Sequence, residues 1–509
     1  MGLQAQVARG FVSILLTALS ASSWILPQNE FQPARFKSGT GLSVAAVGIN
    51  DAPSDSQPRF IGESPLSLSL DEFSSILDGQ GRALTCWDCY RMGVDPVWLY
   101  QHGDDDEIEP HTDLLVASNP NGGGWTRDLI RRKMAVATTN RRQGQILGRV
   151  AQDRLKLYFG SRGKSSLPAS ANSFSIETHV AQLSKVTVSS DGTTKLLLKL
   201  HDGLEVETVI IPFQDRQTST LCVSSQIGCA QACQFCLTGR MGEIRSLSAD
   251  EILAQVYFAL KACRVMTTPS EESPPSTSTG TSMSMKPSLH PIDNIVFMGM
   301  GEPAANADSV IRASNMMIGK LAGFQFAPRR VAISTVAPTP ESFVTLASQT
   351  SVVLAWSVHS SKDSVRRRLV PTTRHSMKEF LDGLIYALNQ RPSRKLRQIM
   401  LEVTLLKDIN DSVDDAHHLA QTICIPLLEN VEGIRLVVNL IPWNDIGATF
   451  GPASQFQRSP MSRVLDFQSV LASEEYPGIL AYIRTTRGDD EHAACGMLAT
   501  KAKGKSEMK

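Results

Sequence analysis

Neither sign of charge dominates this chain: 50 Lys and Arg stand against 50 Asp and Glu in 509 residues. That balance excludes a chain-wide attraction to nucleic acid, so any RNA-binding surface must come from local patches. Cysteine is sparse and irregular. Nine in so long a chain do not form the framework of a small secreted domain, and reduced thiols, metal ligands or reactive thiols are expected instead. Acidic residues are almost missing from the first fifty positions, where Glu30 stands alone. Arg9 there precedes an apolar run, Phe11 to Leu26, that is broken by Ser and Thr and short for a membrane span. No stable membrane association is expected. This N-terminus reads as a targeting sequence for an organelle, a plastid first and a mitochondrion second, with a cytoplasmic protein if it is no targeting sequence.

The length is enough for a large core and two or more domains. Residues 1–65 are expected to be targeting sequence and Ser/Gly/Pro-rich linker, and residues 66–165 a small helical domain. Cys86 and Cys89 in that domain make a lone C-x2-C, expected to be core thiols. Over 175–214 the apolar period becomes two, which predicts a β extension of three strands separated by Ser-Asp-Gly and His-Asp-Gly turns. From 215 to 470 apolar strands alternate with helices, so a parallel α/β sheet with right-handed crossovers follows, and six such units fit an incomplete (β/α)6 barrel. A low-complexity insertion at 267–290 interrupts it, and 471–509 is a C-terminal segment with a basic tail.

Chemistry concentrates in Cys222-Val-Ser-Ser-Gln-Ile-Gly-Cys-Ala-Gln-Ala-Cys-Gln-Phe-Cys236. Cys229, Cys233 and Cys236 are spaced to hold three irons of a [4Fe–4S] cluster, leaving one iron open for a small ligand. Adding Cys222 gives a set that could instead close a zinc site, and four clustered core cysteines are a third reading. Polar residues follow consecutive strands: Gly301 and Glu302 in Gly-Met-Gly-Glu-Pro, Ser334, Ser357 and His359 in Trp-Ser-Val-His, and Asn444 in Asn-Leu-Ile-Pro-Trp-Asn. Each alone is a capped turn or a core polar group; together they suit a cofactor with an amine, a carboxylate, a ribose and an adenine. Cys495, taken alone, is a loop cysteine without a task. Arg366–Arg368 and Arg391–Arg397 are candidate phosphate contacts or solvated helix faces.

These motifs, with Glu207-Thr-Val-Ile-Ile-Pro and Thr-Arg-Gly-Asp-Asp-x-x-Ala-Ala-Cys-Gly, resemble the radical S-adenosylmethionine (SAM) adenine-C2 RNA methyltransferases over about residues 175–500. The resemblance implies a radical SAM barrel, a [4Fe–4S] cluster on Cys229, Cys233 and Cys236, and SAM contacts at Gly301, Glu302, Ser334, Ser357, His359 and Asn444. It implies Cys495 as the methyl-carrying cysteine, Cys222 as its partner thiol and Glu207 as proton acceptor. By similarity, Cys495 takes a methyl group from one SAM. A second SAM, cleaved reductively, activates that methyl group for addition to the electron-poor C2, and a Cys495–Cys222 disulfide then frees the base. Implied partners are large-subunit rRNA, tRNA and a reducing donor of flavodoxin or ferredoxin type, with the protein a monomer. Two other outcomes stay open: methylation at C8 by the same chemistry, and a non-catalytic, zinc-stabilised RNA-binding protein. Two extra residues separate Glu207 from Cys222 relative to the family, within Phe213–Ser219.

Overall fold

The computed structural model describes residues 64–100, 106–118, 125–137, 147–160, 175–267, 289–449 and 451–499. The expected targeting sequence and nearly all of the 267–290 insertion lie outside the described residues.

Helices Leu70–Leu77 and Gln80–Tyr90 open the described chain. Ser69 and Glu72 cap the first reciprocally, which satisfies two donors that the first turn leaves over. The second helix carries Trp87 and Tyr90, whose rings meet Phe324 and Tyr257 edge to face, so the helical region shares its core with the sheet region. Cys86 and Cys89 on that helix are fully buried and free, and burial drives both thiols well above their ordinary pKa. A buried ionic knot tightens the same seam. Lys261 approaches Glu177 at 2.5 Å and Glu109 at 3.4 Å, and Arg264 meets Glu109 at 2.6 Å.

The strands are β1 (Ala181–Val188), β2 (Thr194–Leu200), β3 (Glu205–Phe213), β4 (Thr218–Cys222), β5 (Gln226–Cys229), β6 (Gly242–Ser246), β7 (Ile292–Phe297), β8 (Val331–Thr335), β9 (Val353–Ser357), β10 (Gln398–Leu405), β11 (Arg435–Pro442) and β12 (Leu480–Ile483). Ten of them form one sheet in the order β1-β2-β3-β4-β7-β8-β9-β10-β11-β12. From β1 to β4 the pairing is antiparallel; from β4 onward every neighbour is parallel. Strands β4 and β7 to β11 are the six of an incomplete (β/α)6 barrel. The β extension is continuous with them, because β3 pairs with β4, the strand that leads into the cysteine loop. The segment after 470 adds the short β12 beside β11.

Helix Ala249–Met266 follows the cysteine loop and begins with a Ser248/Glu251 capping box. It is buried along nearly its whole length, as a helix lying between the sheet and the helical region must be. Helices Ala307–Ile318, Glu341–Gln349 and Met377–Asn389 alternate with the later strands. This topology brings the carboxyl ends of β4 and β7 to β11 to one rim, where such barrels carry their chemistry.

Candidate active site

A cavity at this rim is lined by Cys229, Cys233 and Cys236 together with Gly301, Glu302, Ser334, Ser357, His359, Asn444 and Cys495. The strand ends thus bring together nine of the twelve residues singled out from the sequence, with Cys495 arriving from the C-terminal loop. Tight packing explains the glycines. A Cβ on Gly299 would lie 2.6 Å from Ser224 Oγ, and one on Gly301, whose φ is +101°, would lie 2.6 Å from the Gln226 backbone nitrogen. Both therefore let the β7 turn press against the start of the cysteine loop.

Each wall residue has a definite posture. Glu302 is 3% exposed and accepts bonds from Ala304 N at 2.9 Å, Val336 N at 3.0 Å and the Thr335 hydroxyl. Burial raises its carboxyl pKa, against those three donors. Ser334 Oγ and Ser357 Oγ stand 3.0 Å apart on adjacent strands. His359, at a φ of +54°, accepts from Thr404 N at Nδ1 (3.2 Å), which leaves the hydrogen on Nε2. Burial, then Arg366, push its pKa well below the ordinary value, so the ring is neutral. The Phe235 ring stands edge to face against it, 4.5 Å between centroids.

Burial pushes the Cys229 thiol up to about 12, and Cys233 and Cys236 upward as well. Three such groups become thiolates at neutral pH only beside a cationic centre, and three soft donors within eight residues suit an iron–sulfur cluster. By donor type and spacing the three suit such a cluster, although among the described residues no group of three or more His, Cys, Asp or Glu side chains is gathered so as to hold a metal ion. The three do not form the closed zinc set with Cys222, which is a correction to that reading. Cys222 ends β4 facing a different cavity, and the neighbour that raises its pKa is Cys495 rather than the other three.

That second cavity adjoins the first. Its wall includes Cys222, Cys495, Asn444, Met298, Tyr482 and Arg484, and Cys495 and Asn444 line both spaces. Cys495 is solvent-accessible although its surroundings hold its thiol pKa up. Asn444 donates to the Cys495 carbonyl at 3.1 Å and accepts from Thr486 Oγ1 at 3.0 Å, so in this structure its amide orients the cysteine loop.

The Thr-Arg-Gly-Asp-Asp motif builds that loop. Asp490 accepts from Ser190 N at 2.9 Å and from the Ser189 hydroxyl, docking the loop on the β1–β2 turn. Gly488, at a φ of +71°, passes so close to Thr193 that a Cβ would sit 2.8 Å from its methyl group. Leu237 N and Thr238 Oγ1 then hold Gly496 O and Leu498 O at 2.8 and 2.6 Å, tying the loop to the cluster-side helix.

Glu207 lines neither cavity. It sits two residues before Val209, the register partner of Cys222, and so shares the sheet face of that cysteine. Its carboxylate pairs with Lys195 at 3.1 Å and accepts from Ala499 N at 2.9 Å; burial raises its pKa against both. Two groups were missed in the sequence. Arg484 lowers the pKa of both Cys222 and Cys495 and stands 3.6 Å from Glu402, a carboxylate only 1% exposed. The signal was there in the Arg484-Thr-Thr-Arg motif, read only for its cysteine. Arg366, read as a phosphate contact or surface charge, is instead fully buried and donates to the carbonyls of Ser357, Val358 and Val336, bracing the strand ends. Arg391 is likewise buried on Val352 O and Leu396 O, and Arg394 pairs with Glu432.

No family model matches the chain. The dual-specificity RNA methyltransferase RlmN of Marinobacter nauticus is 38% identical over 311 residues, which cover 61% of this chain and 73% of that protein. The crystal structure of a radical SAM methyltransferase from Sphaerobacter thermophilus aligns with a TM-score of 0.55 at 27% identity, covering 85% of this chain and 98% of that one.

Proposed function

The chain belongs to the RlmN family of dual-specificity RNA methyltransferases, and from that membership we propose that it methylates C2 of an adenosine in large-subunit rRNA, and in tRNA, through a methylated Cys495. It is a radical SAM RNA methyltransferase whose cofactors are a [4Fe–4S] cluster and SAM. Cys229, Cys233 and Cys236 are the proposed cluster ligands. Glu302, Gly301, Ser334, Ser357, His359 and Asn444 are the proposed SAM contacts. When bound, the cluster supplies the electron that splits SAM at its sulfonium.

One observation carries the reading: Cys495 lines both cavities, the first with the three cluster-loop cysteines and the second with Cys222. A thiolate there takes a methyl group from SAM by displacement, with Arg484 steadying its charge. The same sulfur then stands beside the space where Cys222 waits to close a disulfide on it. The adenine is taken to occupy that second space. Glu207, outside both cavities but on the sheet face of Cys222, is the proposed acceptor of the C2 proton through a bridging water; its raised pKa makes it a stronger base, and Lys195 balances its charge. The electron donor is proposed to be a reducing protein of flavodoxin or ferredoxin type, the protein a monomer, and the destination a plastid on the strength of the acid-poor N-terminus.

The test is product analysis. Anaerobically reconstituted protein, given SAM, reductant and transcribed rRNA or tRNA, should yield 2-methyladenosine on mass spectrometry of digested RNA. Only 8-methyladenosine would move the target carbon, and no methylated adenosine from any RNA would end the reading.

A further inference from the structure

The rim of the second cavity holds an arrangement that folding alone does not require. Phe213 ends β3, and two guanidinium groups gather at its ring. The Arg216 carbon lies 5.5 Å from the ring centroid and that of Arg487 5.2 Å. They come from segments far apart in sequence, the β3–β4 turn and the cysteine loop, and both line the cavity that Cys222 and Cys495 share. The ring attracts both cations. Among the described residues little offsets their charge. Asp215 approaches Arg216 at 3.5 Å, but both side chains are about 70% exposed and such a pair is worth little. Among the described residues no carboxylate pairs with Arg487. Two cations held together at a cavity mouth with so little compensation make a place for an anion.

The geometry points to an RNA phosphate subsite: Arg216 and Arg487, gathered at Phe213, hold the backbone next to the adenosine whose base reaches Cys222 and Cys495. This rests on the reading that the second cavity admits the substrate base. The depth of the two layers favours RNA backbone over SAM. Cys222 lies buried inside, whereas Arg216 is open to solvent, as the sugar–phosphate chain must remain when a base is turned out of its stack into a pocket. Phosphate contacts of this kind fix register without reading sequence.

Binding of a transcribed large-subunit rRNA fragment, followed by anisotropy across a salt series, tests this. Arg216→Gln and Arg487→Gln should each weaken binding by roughly tenfold, the effect of one charge-assisted contact. Each should also flatten the plot of log affinity against log salt by about 0.7 to 1. Asp215→Asn, which frees Arg216, should act oppositely and tighten binding by about threefold, as removal of one exposed pairing allows. Iron content and melting temperature should match the wild type throughout. A double Arg216→Gln/Arg487→Gln variant that folds and binds with wild-type affinity and salt slope would overturn the subsite. Unchanged binding by Asp215→Asn together with an unchanged slope for either arginine variant would do the same. Wild-type protein that binds RNA through these arginines yet forms no methylated adenosine would leave the subsite standing and remove the functional reading beneath it.

Discussion

Arg484→Met removes the cation that lowers the thiol pKa of both Cys222 and Cys495. The arginine is 32% exposed, stands 3.6 Å from the buried Glu402 and is the strongest neighbour holding the Cys495 pKa down against burial. Loss of one cation close to a thiol lowers its thiolate fraction at neutral pH by roughly ten- to a hundredfold, and the thiolate is the nucleophile. The assay is single-turnover transfer of a labelled methyl group from SAM to Cys495, followed across pH without RNA. Below the thiol pKa the rate rises with pH as the proton leaves, and it levels off above. With Arg484 gone the folded-state pKa is higher, so the levelling moves to higher pH and the neutral rate falls. Glu402→Gln removes a negative neighbour that raises the Cys495 pKa, so its profile should move to lower pH. Stability is separable. Leaving Glu402 buried without its partner should cost about 3 kcal/mol, and the Arg484→Met/Glu402→Gln double variant should recover most of that in a denaturant melt. Superimposable pH profiles for the wild type and Arg484→Met would refute the assigned electrostatics.

Cys495→Ala should carry no S-methyl group and make no product by mass spectrometry, whereas Cys222→Ala should accumulate a covalent RNA–protein adduct visible on a denaturing gel. Clean turnover by either variant removes that residue from the scheme. Gly488→Ala forces a Cβ into Thr193 at a positive φ, a strain of about 1–3 kcal/mol. Limited proteolysis should cut its cysteine loop faster while the global melting temperature changes little; unchanged cleavage would mean that the docking on the β1–β2 turn is dispensable. Lys261→Met strips the cation from Glu177 and leaves Glu109 to Arg264 alone in the seam between sheet and helices, and chemical denaturation should show a loss of about 3–5 kcal/mol.

What could be read from the sequence was what local spacing encodes. The cluster cysteines, and the polar residues after each strand, lie in short motifs whose geometry the strand-to-helix alternation fixes by itself. Docking across the chain could not be read that way. Ser189 and Asp490 lie 301 residues apart, and neither carries a sign that a turn in the β extension would seat the cysteine loop. Three consecutive arginines at 366–368 look like surface charge, yet helix Asp363–Leu369 turns the first inward to the carbonyls of Ser357, Val358 and Val336. Strand β4 escaped notice because its five residues run straight into the cysteine motif, and with it went the continuity between the β extension and the barrel. Phe213 with Arg216 and Arg487 is legible only in three dimensions, since the ring and its second cation are separated by most of the barrel.

The central claim is that the transferred carbon passes through Cys495. Protein carrying an isotopically labelled methyl group on that sulfur, mixed with RNA, reductant and unlabelled SAM for one turnover, tests this directly. The label should leave the protein and be found in the methylated adenosine. RNA that gains an unlabelled methyl group while the label stays on Cys495 would contradict the account.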